Sequence, residues 1–143
     1  MHEDAETRQK RDEIAEIFMR HFQTYGMKGT IISDVAKEMG ISKKTLYRYF
    51  KGGKSEALYY FFHRIANLNI SIIEPEIRSL SPPKQLFFII RQIIKQGKPY
   101  VLANVVKTEE EYSIENEIVG RAFRDAYGLN HKFLFILHLI LTL

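Results

Sequence analysis

The chain has 143 residues, a length that fits one domain or a small module joined to a modest helical body. Hydrophobic residues at 45% and aromatics at 13% allow a buried core and exclude a disordered chain, while the absence of cysteine excludes disulfide scaffolds, thiol nucleophiles and Cys-ligated zinc. The net charge of +4 is concentrated in one place: between Gly40 and Lys54 there are five basic residues and no acidic one, which is what a polyanion-binding surface needs and what a plain solvated face also permits.

Apolar residues at Ile14, Ile17, Phe18, Met19, Phe22 and Tyr25 predict a helix over Glu6 to Tyr25, stopped by Gly26. Thr30 is suited to cap a second helix, Ile31 to Met39, which Gly40 ends. Ser42 caps a third, Lys43 to Phe50, before Gly52-Gly53 breaks the chain. A long fourth helix is expected from Ser55 to Glu74, stopped by Pro75. Ser81-Pro82 opens a fifth, running to Gln96. Thr108-x-x-Glu111 forms a capping box for a helix ending near Gly128, and Asn130 starts a last apolar stretch to Leu143. No strand alternation persists, so the fold class is all-α.

The second and third helices carry the chemistry. Close crossing of two helices requires a small residue at the contact, supplied by Ala36. The turn between them requires a left-handed backbone, supplied by Gly40, and the second helix needs an apolar anchor, supplied by Leu46. Val35, Met39 and Ile41 complete a miniature core. The helix that starts after Ser42 then presents Lys43, Lys44, Thr45, Tyr47 and Arg48, donors for phosphates and base edges on a rod that fits the major groove.

These residues carry a resemblance. Phe22-x-x-x-Gly26, Thr30, Val35-Ala36-x-x-x-Gly40-Ile41-Ser42-Lys43-x-Thr45-Leu46-Tyr47-x-Tyr49-Phe50 and Lys54, within Ile14 to Leu58, resemble the N-terminal module of the tetracycline-repressor-like (TetR/AcrR) family of bacterial regulators. The resemblance implies an N-terminal three-helix helix-turn-helix module over residues 1–54, followed by a helical-bundle region for effector binding and dimerisation over 55–143, short for the family. It implies DNA contacts from Lys43, Lys44, Thr45, Tyr47 and Arg48, phosphate contacts from Thr30, Ser33 and Lys54, and Tyr49 at the interface edge, with Phe50 in the core. The segment Phe50-Lys51-Gly52-Gly53-Lys54-Ser55-Glu56 departs from the family's usual spacing by one extra residue and a displaced glutamate, and Lys51 is the alternative phosphate contact.

Beyond Ser55 the helices are apolar over much of their circumference. Leu58, Phe61, Phe62, Ile65, Leu68 and Ile72 form one stripe, and Leu86, Phe87, Ile89, Ile90, Ile93 and Ile94 another. A bundle core with a dimer seam accounts for them, as does a cavity for a small hydrophobic effector. The polar candidates for that cavity are Tyr59, His63, Asn67, Gln92, Tyr100, Asn104, Tyr112 and Tyr127. The final Phe133 to Leu143 run is too short for a bilayer and needs burial, in a dimer interface or at the end of a shortened chain.

No enzyme constellation is present. The histidines have no metal-ligand spacing, and there is no phosphate loop and no nucleophile elbow, so neither metal nor cofactor is expected. The N-terminus has no apolar signal stretch, so a cytoplasmic protein without membrane contact is expected. The combined expectation is a ligand-responsive transcriptional regulator, a repressor, bound as a homodimer to a palindromic operator in double-stranded DNA. The alternatives are a DNA-binding protein without an effector and a helical interaction protein.

Overall fold

The computed structural model describes residues 3–81, 84, 87, 88, 91 and 109–127. Among them are five helices and no strand: α1 (Ala5–Gly29), α2 (Ile32–Glu38), α3 (Lys43–Tyr49), α4 (Lys54–Arg78) and α5 (Glu109–Tyr127). Positions 84, 87, 88 and 91 are helical as well. The rest of the expected fifth helix, and the final apolar stretch, lie outside the described residues. The fold class is all-α with an N-terminal helix-turn-helix.

Local chemistry sets most of the boundaries. Asp4 caps α1 by accepting the Thr7 amide N–H at 2.7 Å. Gly26, at φ 73° and ψ 170°, interrupts the helical backbone where the sequence predicts a stop, and one further turn follows. Gly40 sits at φ 70°, and the Ile41 amide reaches back to the Ala36 carbonyl at 3.0 Å, so α2 closes in a left-handed cap. Ser42 caps α3 by accepting the Thr45 amide N–H at 3.0 Å.

Two expectations are corrected. Thr30 does not cap α2: Ile31 holds the N-cap position with no side-chain bond, and the Thr30 hydroxyl donates to the Gly26 carbonyl at 2.7 Å. The Gly26 carbonyl already accepts the Thr30 amide N–H at 3.1 Å, and the Thr30 hydroxyl adds a second bond to the same oxygen, so the side chain seals the end of α1 and does not open α2. Pro75 does not end α4, which continues to Arg78. A proline removes one N–H and kinks a helix, but the turns on either side keep their own bonds.

The core is one cluster. Ile14, Ala15, Phe18 and Phe22 of α1, Val35 and Ala36 of α2, and Leu46 of α3 are buried together with Phe50. Ala57, Leu58, Phe61, Phe62 and Ala66 of α4, and Ile118, Val119, Ala122 and Phe123 of α5, continue it. Phe50 joins the two parts, its ring 6.2 Å from Phe18 and 5.5 Å from Tyr60, both edge-on. Phe62 meets Phe123 at 5.9 Å across the α4–α5 seam. The apolar stripe of α4 is therefore buried at Leu58, Phe61 and Phe62, but Leu68, expected to share it, is half exposed.

Candidate nucleic-acid interface

The inner face of α3 is fixed by Leu46 and by Phe50 at its C-terminal end, both fully buried. With those two inward, the 3.6-residue period puts Lys43, Lys44, Tyr47 and Arg48 outward, and all four are exposed. None has a hydrogen-bonding or ion-pairing partner among the described residues. Thr45 is half-buried, its hydroxyl 2.9 Å from that of Ser42. Ser33 is exposed on the first turn of α2. A methyl group at Gly53 would lie 3.6 Å from both Ile32 and Tyr47, so the start of α2, the outer face of α3 and the turn before α4 adjoin one another.

Two of the acids that flank this surface are paired within the chain. Glu38 pairs with Arg20 at 2.7 Å and with His21 at 2.8 Å. The His21 hydrogen bond, followed by the Arg20 charge, holds the Glu38 carboxyl below the usual carboxylate range. Glu56 accepts from the Gly52 amide N–H at 2.6 Å and pairs with Arg11 at 3.3 Å. Asp34, on the first turn of α2, is the remaining acid nearby and is exposed.

Two other expected contacts, Thr30 and Lys54, are placed differently. Thr30 is 3% exposed and its hydroxyl is engaged by Gly26, so the side chain is not offered to a phosphate. The Lys54 ammonium donates to the carbonyls of Met27 at 2.7 Å and Thr30 at 3.1 Å. That is a cation on the C-terminal carbonyls of α1, favoured by the helix dipole. Tyr49 is half-buried and packs against the core. Lys51, exposed in the α3–α4 turn, is the cation left facing outward there.

Residues 19–58 match the family described as bacterial regulatory proteins, tetR family. The helix-turn-helix module is what this chain shares with that family. The matched span covers α2, α3 and the packing residues on both sides. A stretch of 71 residues of this chain is 37% identical to HTH-type transcriptional regulators of Staphylococcus aureus strains USA300, NCTC 8325 / PS 47 and COL. That similarity covers 50% of this chain and 37% of each relative, so the chain spans little more than a third of the curated relatives it matches. The solved structure of a tetR-family transcriptional regulator from Mesorhizobium loti is also similar, at 17% identity and a TM-score of 0.47, over 94% of this chain and 78% of that one.

Of the residues proposed from sequence to line an effector cavity, the structure places Tyr59, His63 and Asn67 as a ladder along α4. The Tyr59 hydroxyl donates to Asp125 of α5 at 2.6 Å, its ring stacks on His63 at 5.5 Å, and the Asn67 amide nitrogen lies 3.1 Å from His63 Nδ1. Burial first, and then the Asp125 bond, push the Tyr59 phenol up to about 12. Gln92, Tyr100 and Asn104, and the side chains of Tyr112 and Tyr127, lie outside the described residues. Among the described residues no group of acids and histidines is arranged to hold a metal ion, and no helix is long and apolar enough to cross a membrane.

Proposed function

We propose that this chain is a DNA-binding transcriptional regulator that lays α3 in the major groove. Lys44, Thr45 and Arg48 read base edges; Lys43, Tyr47 and Ser33 hold the sugar-phosphate backbone, with Tyr49 at the rim. The observation that carries the reading is the outer face of α3: four exposed donor side chains without protein partners, on a helix whose inner face is locked by Leu46 and Phe50. Phosphate contacts set register and base-edge contacts set sequence, so the two groups differ in their effects on specific and general binding. Lys51 takes the phosphate role expected of Lys54, whose ammonium is engaged internally.

In this reading the protein acts as a homodimer on a palindromic operator, with half-sites about one helical turn or more apart. The body from residue 55 onward pairs two subunits and binds a small hydrophobic effector that shifts the population of DNA-competent states, so that the protein represses until the effector releases it. A second reading, DNA binding without an effector, is favoured by one observation. The polar atoms of Tyr59, His63 and Asn67 are engaged with Asp125 and with each other.

Enrichment from a random double-stranded DNA library, followed by light scattering on the selected site, tests the proposal. One palindromic sequence bound by two subunits is the expected result. Binding that rises and falls with salt alone, with no sequence enriched, would remove the regulator reading in favour of a helical interaction protein. Thermal shift against a hydrophobic ligand panel separates the two regulator readings, because only an effector both stabilises the protein and releases the operator.

A further inference from the structure

The α3–α4 turn is clamped by a side-chain relay that starts on α1. The Arg11 guanidinium lies 4.2 Å from the Tyr60 ring centre and 4.9 Å from that of Phe50, the residue that ends the recognition helix. One Arg11 nitrogen pairs with Glu3 at 3.3 Å and another with Glu56 Oε1 at 3.3 Å. The second Glu56 oxygen accepts from the Gly52 amide N–H at 2.6 Å. One carboxylate thus joins α1, the α3–α4 turn and the first turns of α4. Gly52 has no side chain to block this approach: a Cβ there would stand 3.0 Å from Glu56 Cβ and 3.2 Å from Oε2. Tyr60 continues the seam by donating to Asp12 at 2.6 Å, and Arg64 pairs with the same Asp12 at 3.0 Å.

We propose that Arg11 and Glu56 are positioning residues for DNA recognition: their pair locks the Lys51–Gly53 turn and so fixes the angle at which α3 leaves the body and meets a half-site. Neither lies on the outer face of α3, and neither touches DNA in this account. The inference rests on the DNA-binding reading for its functional consequence. Its structural content, the carboxylate cap on Gly52, stands apart from that reading. A charge-assisted bond to a backbone amide holds the turn in one geometry, and aromatic rings on the guanidinium keep Arg11 from swinging away. The clamp is partly exposed, so it controls orientation more than overall stability.

The test uses Glu56→Ala, Glu56→Gln and Arg11→Gln in the full chain, with two readouts. The first is the Gly52 amide by NMR, in the free protein. Glu56→Ala is expected to move its proton upfield and speed its exchange, and Glu56→Gln, which keeps a carbonyl acceptor, to restore part of both. The second is affinity for the selected operator and for unrelated DNA at equal salt. Glu56→Ala and Arg11→Gln are expected to weaken operator binding about tenfold while leaving unrelated DNA and the salt slope unchanged. They should also blur discrimination between operators whose half-sites differ in spacing by one base pair. An unchanged Gly52 amide in Glu56→Ala overturns the clamp. A parallel loss of both DNA affinities, tracking a drop in Tm, overturns the positioning role. Should the wild-type chain enrich no sequence, the regulator reading falls, and the Gly52 amide still decides whether the clamp exists.

Discussion

The arginines and lysines of α3 and those of the α1–α4 seam have the same chemistry and opposite surroundings. On α3, Lys43, Lys44 and Arg48 are exposed and without protein partners among the described residues. Along the seam, Arg11 and Arg64 are held by Glu56, Glu3, Asp12 and Glu16, and Lys54 by two backbone carbonyls. The difference lies in which cations already have an anion. A cation satisfied within the fold orders the fold, whereas one left in water retains its charge for an outside polyanion. Of the acids near the outer face of α3, Glu38 and Glu56 are paired within the chain, with Arg20 and His21 and with Arg11, while Asp34 is exposed.

The sharpest way to break that comparison is at the residue where the two regions meet. Phe50→Ala removes a fully buried ring that touches Phe18, Tyr60 and Arg11, and should cost about 3–5 kcal/mol of unfolding free energy in denaturant titration. The loss should appear in one cooperative transition. Two separate transitions would mean that the module and the body fold independently, contrary to their shared core. Lys54→Met tests whether this lysine belongs to the fold. Losing two charged hydrogen bonds should lower stability by about 1.5–3 kcal/mol, with DNA affinity at a fixed folded concentration hardly changed. A selective loss of DNA binding at unchanged stability would return Lys54 to the interface.

Arg48→Ala should do the reverse. Operator affinity falls by about 1–3 kcal/mol in gel shift, with Tm unchanged, because no protein partner is lost. Lys51→Ala is expected to weaken operator and unrelated DNA alike and to reduce the salt slope by about one. Gly40→Ala isolates the turn: nothing lies within 4 Å of the added methyl, so its cost of roughly 1–2 kcal/mol comes from the left-handed backbone alone. A second, stabilising contact at that site would reveal itself as a smaller loss.

The smallest effects are those of pH. Glu38 titrates below its ordinary value in the folded chain, so its contribution is fully present above the unfolded carboxylate pKa. It is lost as pH falls through the folded value, and Glu38→Gln should flatten that part of the acid limb in a Tm–pH series. Tyr59 has the opposite sign. Its folded pKa is raised, so its contribution is present below the ordinary tyrosine value and lost as pH rises toward about 12. Ultraviolet difference titration of wild type against Tyr59→Phe follows it directly.

Sequence by itself determined the helix-turn-helix. Ala36, Gly40, Ser42 and Leu46 act over one turn or one contact, so spacing alone places them, and they occupy the roles assigned: buried contact, left-handed cap, N-cap and anchor. The outward set on α3 follows from the same period. The tertiary structure decided how the polar residues at helix ends are used. Thr30 and Lys54 both stand near helix starts, where a phosphate role is chemically reasonable. They instead donate to carbonyls at the C-terminal end of α1, those of Gly26, Met27 and Thr30, from across 4 and from 24 to 27 residues of chain. Residue type says which groups can donate. Only the folded chain says which acceptor is nearest, because a buried or half-buried donor is drawn to whatever partner relieves its desolvation first. The Arg11–Glu56–Gly52 relay is of the same kind, its ion pair spanning 45 residues, and no local pattern announces it.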